Sequence, residues 1–294
     1  MRITLKQLDV FVSIAREASV TRAADKLNLT QSATSMALGD LESQLGAKLF
    51  DRLGRRLKLN ELGSRLLPLA QETVDRALEI ESLVHNDDRR LGRLRIGASL
   101  SIGNYLMPTL MGQFLQQHPS AELSLDVGNT RHVIESIRQF SCDIGFIEGF
   151  CHEPDINVTH WQDDELVIFA GSQHPLAQQK IVSPDDLKKA WWIMREPGSG
   201  TREVFDHAVA EKLGSVQIRL ELSHTEAIRR AVEAGIGISC ASRMTLEDRV
   251  TQGQICILPT PYLNLKRALF IVQHKDKYPT QGLQLLKALC LPTS

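Results

Sequence analysis

The sequence lacks the features that mark membrane, secreted and disulfide-stabilised proteins. No apolar run approaches the ~18 residues needed to span a bilayer, and the amino-terminal segment becomes charged too early for a signal peptide. The five cysteines are an odd number, and no two of them form a C-x-x-C pair, which is typical of reduced thiols. These absences favour a cytoplasmic protein without a membrane partner.

Motifs that would indicate catalysis or a bound cofactor are also missing. The chain contains no G-x-S-x-G elbow, no Walker loop, no H-E-x-x-H and no G-x-G-x-x-G. Cys151 and His152 are adjacent, so they lack the spacing of metal ligands, and no partner pair lies nearby. The sequence therefore predicts no catalytic residue, no metal and no cofactor.

The charge of the chain is nearly balanced overall but uneven along its length. The formal net charge is −1, which gives no sign of a polyanionic partner. Residues 1–58, however, carry a net charge of +4, and the rest of the chain carries −5. A basic amino-terminal part on an acidic body indicates nucleic-acid binding by that part. The length of 294 residues allows two or three domains.

Apolar residues in the first sixty positions recur with the period of an α-helix. Leu8, Phe11, Val12 and Ala15 follow the i, i+3, i+4, i+7 pattern. With the capping residues and turns around it, this pattern predicts three helices, at residues 5–18, 20–27 and 31–45. The next segment has apolar residues on both sides of a Gly-Arg-Arg tip, which predicts a short hairpin, or wing, over residues 49–60.

Polar residues crowd the start of the third predicted helix, where five of the six positions from Thr30 to Ser35 are polar. Capping needs only one of them, and an over-capped helical hairpin is the alternative interpretation. Two short helices joined by a three-residue turn, however, form a helix-turn-helix, whose second helix enters the major groove of DNA. Gln31 and the serines suit base edges, whereas Thr21 and the arginines suit phosphates. The predicted DNA-binding residues are Thr21, Thr30, Gln31, Ser32, Ser35, Arg52, Arg55 and Arg56.

A long helix is predicted over residues 61–85. Its only turn signal is Pro68, which we expect to bend the helix rather than end it. An apolar seam advances by three or four residues at a time, through Leu62, Leu66, Leu69, Thr73, Ala77, Ile80 and Val84. Such a seam is typical of paired helices, and a core helix of a single domain is the alternative. Residues 86–93 are charged, contain a glycine and suit a hinge.

Beyond the hinge, strand-like and helix-like segments alternate, which predicts an α/β region with a mainly parallel sheet. Ligands of such sheets bind at the carboxyl ends of the strands. Small polar residues end a strand and open a helix at residues 99–104 and again at residues 198–202. Capping and a turn would explain either stretch alone. Because helix starts attract anions, the pair favours a shared anion site.

Six short motifs of the amino-terminal part are Leu8-Asp9-Val10-Phe11, Ser19-Val20-Thr21-Arg22-Ala23-Ala24, Leu29-Thr30-Gln31-Ser32-Ala33, Leu41-Glu42, Leu45-Gly46 and Leu49-Phe50-Asp51-Arg52. Together they resemble the LysR-type transcriptional regulators, and the likeness continues over essentially the whole chain. The chain departs from the family pattern at Met36, where many relatives have a basic or long polar residue, and at Thr34, which replaces an aliphatic residue. Gln31, Ser32 and Ser35 would then carry more of the base reading.

The resemblance implies an α/β protein with three parts. These are a winged helix-turn-helix at residues 1–60, a linker and dimerisation helix with a hinge at 61–90, and an effector-binding domain at 91–294. The last would resemble the type 2 periplasmic binding proteins, with subdomain I at residues 91–162 and 267–294 and subdomain II at 163–266. The resemblance also implies a homodimer or homotetramer, with RNA polymerase as a further candidate partner.

The resemblance places effector contacts at the two polar stretches. Asn129, Thr130 and Thr225 lie at other predicted strand ends, where they would complete the ring. The predicted effector-binding residues are Ser99, Leu100, Ser101, Ile102, Asn129, Glu148, Ser199, Gly200, Thr201 and Thr225. Short, closely spaced hydroxyls suit a compact anion, such as a sulfur oxyanion or a small carboxylate. Glu148 would repel that anion if ionised, which leaves three options: it is neutral, it is ion-paired with Arg195 or Arg202, or it binds a cationic part of the ligand.

The sequence thus predicts a ligand-responsive transcription factor that binds double-stranded DNA and a small anionic effector. The alternatives are a solute-binding module and an enzyme of the same α/β fold, neither with a role in gene regulation. A solute-binding protein would need export, for which no signal is visible, and no acid and base at a telling spacing support an enzyme.

Overall fold

The computed structural model describes residues 2–53, 56–84, 91 and 93–291. Arg55 and most of the predicted hinge at residues 86–93 lie outside the described residues. Within them, no helix is both long enough and apolar enough to cross a membrane.

The amino-terminal region is a bundle of three helices followed by a hairpin. Its elements are α1 (Leu5–Glu17), α2 (Val20–Lys26), α3 (Gln31–Leu45), β1 (Phe50–Leu53) and β2 (Arg56–Leu59). The side chains of Thr4, Ser19 and Thr30 cap the three helices, and Gly46 ends α3 in the left-handed conformation. Strands β1 and β2 pair antiparallel. The predicted helices and the predicted wing are therefore confirmed.

Helix α4 (Glu61–Val84) follows the hairpin directly and contains Pro68, which does not end it. One side of α4 packs against the amino-terminal bundle through the buried residues Leu67 and Ala70. The predicted seam lies on another side, where the side chains of Leu69 and Ile80 are 62% and 66% exposed. An exposed apolar stripe suits a second copy of the chain, and this pairing stays a prediction.

The effector region contains nine strands and eight α-helices among its described residues. The strands are β3 (Arg93–Ser99), β4 (Glu122–Gly128), β5 (Ile144–Glu148), β6 (Ile156–Gly171), β7 (Trp191–Met194), β8 (Gln217–Glu221), β9 (Ser239–Ser242), β10 (Ile255–Ile257) and β11 (Lys266–His274). The helices are α5 (Leu100–Tyr105), α6 (Met107–Gln117), α7 (Thr130–Arg138), α8 (Pro184–Lys189), α9 (Gly200–Lys212), α10 (Thr225–Glu233), α11 (Glu247–Thr251) and α12 (Gln281–Cys290).

The main sheet has the strand order β10-β6-β11-β5-β3-β4, and β9 also pairs with β6. Among the described strands, β4 and β5 pair parallel with β3, and β7 pairs parallel with β8 in a separate small sheet. Strand β11 runs antiparallel to both β5 and β6, and β9 and β10 run antiparallel to β6. The expectation of a mainly parallel sheet is therefore wrong. The reason is that no helical crossover joins β6 or β11 to the strand beside it in the sheet. An alternation of helices and strands predicts parallel pairs because it assumes such crossovers.

The effector region has four hydrophobic clusters among its described residues, and we call the two largest the first and the second core. The first contains Phe114, Phe146 and Leu286, from the two ends of the region. The second contains Trp192 and Phe205, from its middle. The predicted subdomain boundaries fall within β6 and near the start of β11, and they remain a prediction. Asp164 lies on β6 and Arg267 lies on β11.

Candidate functional site

The first candidate site is the exposed face of α3. Gln31, Ser32 and Ser35 are exposed there, and the Gln31 side-chain amide donates a hydrogen bond to Ser35 Oγ at 3.2 Å. Thr30 Oγ1 accepts from the backbone N–H of Ala33 at 3.2 Å and lies 3.0 Å from Ser32 Oγ. Thr34 is fully buried and bonds to the Thr30 carbonyl, so it cannot touch DNA. Of the five polar residues at the start of α3, Thr34 is therefore buried in the fold, and the other four are exposed.

The other predicted DNA-binding residues belong to α2 and to the wing. Thr21 is exposed near the start of α2. Arg52 and Arg56 lie on the two strands of the wing, in β1 and β2, and Arg55 lies outside the described residues. Their roles in DNA binding stay predictions.

The second candidate site is centred on Glu148, which lies at the carboxyl end of β5 and is 1% exposed. Its Oε1 accepts hydrogen bonds from Ser101 Oγ at 3.3 Å and from Thr201 Oγ1 at 3.4 Å. Ser101 lies in α5 beside the first core, and Thr201 lies in α9 beside the second. One buried carboxylate thus joins the two polar stretches that the sequence singled out.

Arg267 is the charged partner of Glu148. One of its nitrogens lies 3.2 Å from Glu148 Oε2, another donates to Thr201 Oγ1 at 3.0 Å, and Nε donates to Asp164 Oδ2 at 2.7 Å. The side chains of all three charged residues are at most 4% exposed. We call Ser101, Glu148, Asp164, Thr201 and Arg267 the Glu148 cluster. Its formal charge is −1, since two carboxylates share one guanidinium.

This arrangement corrects the predicted partners of Glu148. Arg195 pairs instead with Glu196 at 2.8 Å, and Arg202 pairs with Asp206 at 2.8 Å. Both predicted pairings are wrong because these arginines are satisfied within their own segment. Arg267 and Asp164 were missed because they lie on strands far along the chain. The sequence signal for Arg267 was a charge at the start of an otherwise apolar strand, whereas Asp164 lies in the middle of β6, before its apolar half.

The α9 start approaches Glu148 through its backbone. Thr130 Oγ1 donates to the Glu148 carbonyl at 2.8 Å and accepts from the Gly200 N–H at 3.2 Å. A Cβ atom on Gly200 would lie 1.9 Å from the Glu148 carbonyl oxygen, so only glycine fits. Ser199 caps α9 by accepting from the backbone N–H of Arg202. Backbone contact therefore fixes the second polar stretch against the end of β5.

The remaining predicted effector residues differ in their surroundings. Ser99 Oγ is buried and has no hydrogen-bond partner among the described residues. Asn129 donates a hydrogen bond to Glu196 at 3.0 Å. Burial opposes ionisation of the Glu196 carboxyl, but hydrogen bonds from Arg195 and Asn129 lower its pKa. Thr225 begins α10, and no hydrogen bond in the described part of the chain joins it to the Glu148 cluster. Two predicted residues are buried and apolar, namely Leu100 and Ile102.

The cysteines are free thiols, and burial raises the pKa of Cys142, Cys240 and Cys290 to about 12. Such thiols are unreactive near neutral pH. Cys151 is only partly buried, and burial raises its pKa as well. The described residues contain no group of three His, Cys, Asp or Glu side chains that could hold a metal ion.

Comparison with known families covers nearly the whole chain. Residues 5–64 match the family described as bacterial regulatory helix-turn-helix protein, lysR family, and residues 87–293 match the LysR substrate binding domain. The chain is 42% identical to the uncharacterised HTH-type transcriptional regulator YeiE of Escherichia coli, over 100% of this chain and 99% of that protein. It is 32% identical to the transcriptional activator CmpR of Synechocystis, over 93% of this chain and 90% of that protein.

Solved structures show the same fold. A full-length OxyR variant of Pseudomonas aeruginosa superposes with a TM-score of 0.78 at 22% identity, over 100% of this chain and 96% of that one. The regulatory domain of Synechocystis CcmR in complex with 2-PG superposes with a TM-score of 0.62 at 31% identity. That match covers 68% of this chain and 98% of the CcmR domain.

Proposed function

Since the chain belongs to the LysR-type family of bacterial transcriptional regulators, we propose that a small anion bound at the Glu148 cluster controls its binding to DNA. The family membership makes the chain a DNA-binding regulator with an effector-binding domain, and not an enzyme. The two alternative functions, an enzyme and a solute-binding module without a regulatory role, are thereby set aside.

One observation carries the proposal of an anionic effector: the two polar stretches contain buried hydroxyls, and one hydroxyl from each stretch meets Glu148. Ser99, Ser101, Ser199 and Thr201 are each at most 3% exposed. In the described part of the chain, Ser99 and Ser199 donate no hydrogen bond. Buried donors without acceptors are unfavourable, so an acceptor-rich ligand would stabilise them. The CcmR regulatory domain was solved in complex with 2-PG, which supports a small effector for this chain as well.

The hydroxyl protons limit how the anion can bind. A hydroxyl has one proton to donate, so Ser101 and Thr201 cannot serve Glu148 and an anion together. We therefore expect the effector to replace Glu148 Oε1 as their acceptor, while Arg267 retains Glu148 Oε2. Because the formal charge of the cluster is −1, hydrogen bonds from the buried hydroxyls must offset the repulsion between the anion and the carboxylates. Short hydroxyl donors at this spacing favour a compact sulfur oxyanion or a small carboxylate over an aromatic acid. Binding then alters the contacts that hold the two cores together, which is how it would reach the DNA-binding helices.

We also propose an oligomeric state, a set of DNA contacts and a cellular location. The exposed apolar seam of α4 supports a homodimer, and family membership supports a homotetramer of two such dimers. Gln31, Ser32 and Ser35 would face base edges, with Thr21 and the wing arginines on phosphates. The protein would act in the cytoplasm on promoter DNA, where RNA polymerase is a further partner.

The test is calorimetric titration of the full-length protein with sulfate, sulfite and 2-PG. Thr201→Val keeps the shape of the side chain but removes one hydrogen-bond donor, so affinity should fall by about 1–3 kcal/mol. Thr159→Val, on the exposed half of β6, is the matched control and should bind normally. Wild-type affinity in both Ser101→Ala and Thr201→Val, or tight binding only of a bulky hydrophobic ligand, would refute the proposal.

A further inference from the structure

A short loop of the effector region contacts helix α4. Residues 275–280 form this loop and join β11 to α12. The ammonium group of Lys277 is ion-paired with Asp75 of α4. The next side chain also reaches α4, since the Tyr278 hydroxyl donates a hydrogen bond to Glu79 Oε2 at 2.8 Å. Two neighbouring residues of the loop therefore hold α4 against the effector region.

His274, the last residue of β11, fixes the shape of this loop. Its ring Nδ1 accepts a hydrogen bond from the backbone N–H of Asp276 at 3.1 Å, and its backbone carbonyl accepts one from the N–H of Lys277 at 3.1 Å. A ring nitrogen that accepts a hydrogen bond carries no proton, so the neutral imidazole has its proton on Nε2. Protonation would turn Nδ1 into a donor that faces another donor. The turn that positions Lys277 and Tyr278 therefore depends on a neutral His274.

His274 is buried where the DNA-binding part meets the effector part. It is 8% exposed, and its ring centroid lies 4.4 Å from that of Phe140. Phe140 in turn packs in the core of the amino-terminal bundle, and its carbonyl accepts a hydrogen bond from Arg16 of α1. A charge on His274 would therefore lie against an apolar contact between the two parts, where it is poorly solvated.

The charged groups that face His274 act in opposite directions. Burial has the largest effect and lowers the pKa of His274 from its ordinary value of 6.5. The carboxylates of Asp276 and of Asp155, which precedes β6, lie 3.9 and 4.0 Å from the ring nitrogens and favour protonation. Arg138 of α7 opposes it, and Asp155 already accepts a hydrogen bond from Arg138 at 3.0 Å. At neutral pH, His274 is therefore in the neutral form that the loop requires.

From this geometry we propose that His274 is an acid-sensitive latch between the DNA-binding part and the effector part. When the ring gains a proton, Nδ1 no longer accepts from Asp276, the loop changes shape, and Lys277 and Tyr278 release α4. The latch contributes its full stability above about pH 6.5 and loses it as the pH falls from there towards the lowered pKa of the latched state. None of these residues belongs to the Glu148 cluster, so the latch does not depend on the proposed effector.

Hydrogen–deuterium exchange of the full-length protein tests the latch. The reporter is the peptide over residues 275–282, because the Gln281 amide in it donates a hydrogen bond to Glu79 of α4 at 3.2 Å. The comparison is between about pH 7.5 and about pH 5.5, a range in which ordinary carboxyls stay ionised. After correction for the chemical effect of pH on exchange, wild-type exchange should rise by about three- to tenfold, since one proton changes an equilibrium by at most tenfold per pH unit.

Three variants separate the latch from other effects of acid. His274→Asn keeps an acceptor near the position of Nδ1 but takes up no proton, so its exchange should change by less than about twofold. The matched control is His160→Asn, which should show the wild-type rise. His160 also lies beside a carboxylate and a ring, those of Asp163 and Phe270, but its side chain is 56% exposed. Tyr278→Phe removes one contact with α4 and should speed exchange at both pH values.

Equal wild-type exchange at the two pH values would overturn the latch. That result requires no variant, so it holds even where His274→Asn fails to fold. A rise of wild-type size in His274→Asn would assign the acid response to another group and would also overturn the proposal. Loss of the rise in His160→Asn would show that an exposed histidine, and not the buried one, controls the loop.

Discussion

At the scale of single residues, Arg267 carries the charge balance of the Glu148 cluster. Its guanidinium contacts Glu148, Asp164 and Thr201 at the same time, and its side chain is 2% exposed. Ser242 gives Asp164 a further hydrogen bond at 2.8 Å. Without Arg267, two buried carboxylates would lie near each other with only hydroxyl partners. A buried charge without its partner is far more unfavourable than an exposed one.

Arg267→Met should therefore destabilise the effector region by about 3–5 kcal/mol, because it leaves buried carboxylates unpaired. The measurement is urea unfolding of the full-length protein at neutral pH. Arg230→Met is the matched control, since Arg230 pairs with Glu226 but its side chain is 72% exposed. That control should lose less than about 1 kcal/mol. Equal losses in the two variants would show that Arg267 does not hold the cluster together.

At the scale of elements, two sides of α4 lie in different surroundings. One side packs against α1 and the effector region, where Tyr278 donates a hydrogen bond to Glu79 at 2.8 Å. Another side exposes Leu69 and Ile80. These two residues lie eleven positions apart and so on nearly the same side of the helix. Exposed large apolar side chains in one line are typical of an interface with another protein.

The paired substitution Leu69→Glu and Ile80→Glu should break the dimer, because it would bring like charges together in an apolar seam. We expect dissociation to shift by at least about a hundredfold in concentration, as measured by sedimentation velocity over a dilution series. Leu78→Glu is the control: Leu78 is 55% exposed but lies on the opposite side of the helix. A dimer that survives the double change and is lost in the control would place the interface on the other side of α4.

At the scale of the whole molecule, the DNA-binding part and the effector part are in direct contact. Arg16 in α1 donates to the Phe140 carbonyl at 3.1 Å and also contacts Gln71 in α4. Lys277 bridges Asp75 in α4 and Asp143 in the effector region. Phe140 packs in the same hydrophobic core as the amino-terminal bundle. This contact gives a physical route by which a change around the effector can reach α4.

The same contact predicts acid sensitivity. Burial opposes ionisation of Asp143, but Arg95 and Lys277 hold the pKa of its carboxyl well below the usual range. A depressed carboxyl stabilises the fold above its unfolded pKa of about 4 and loses that contribution as pH falls through the folded value. Wild-type stability should therefore fall by about 2–3 kcal/mol more than that of Asp143→Asn between pH 5 and strong acid.

Thermal unfolding over that pH range measures the difference. Asp163→Asn serves as the control, because the Asp163 side chain is 86% exposed, and its pH profile should follow the wild type. If Asp143→Asn also follows the wild type, the carboxyl of Asp143 does not link the two parts in its ionised form.

The sequence by itself determined the local features of this protein. Helix caps at Thr30 and Ser199, the stop at Gly46 and the apolar period of α1 depend on residues within a turn or two of one another. Such short-range effects leave a readable pattern, and the motifs around α3 were enough to identify the family. The two polar stretches at residues 99–104 and 198–202 were visible for the same reason.

Only the tertiary structure decided how these local features meet. Glu148, Thr201 and Arg267 are distant in the chain, and they come together because β11 inserts antiparallel between β5 and β6. No periodicity records that insertion, since strand order depends on which apolar faces can be buried together rather than on neighbouring residues.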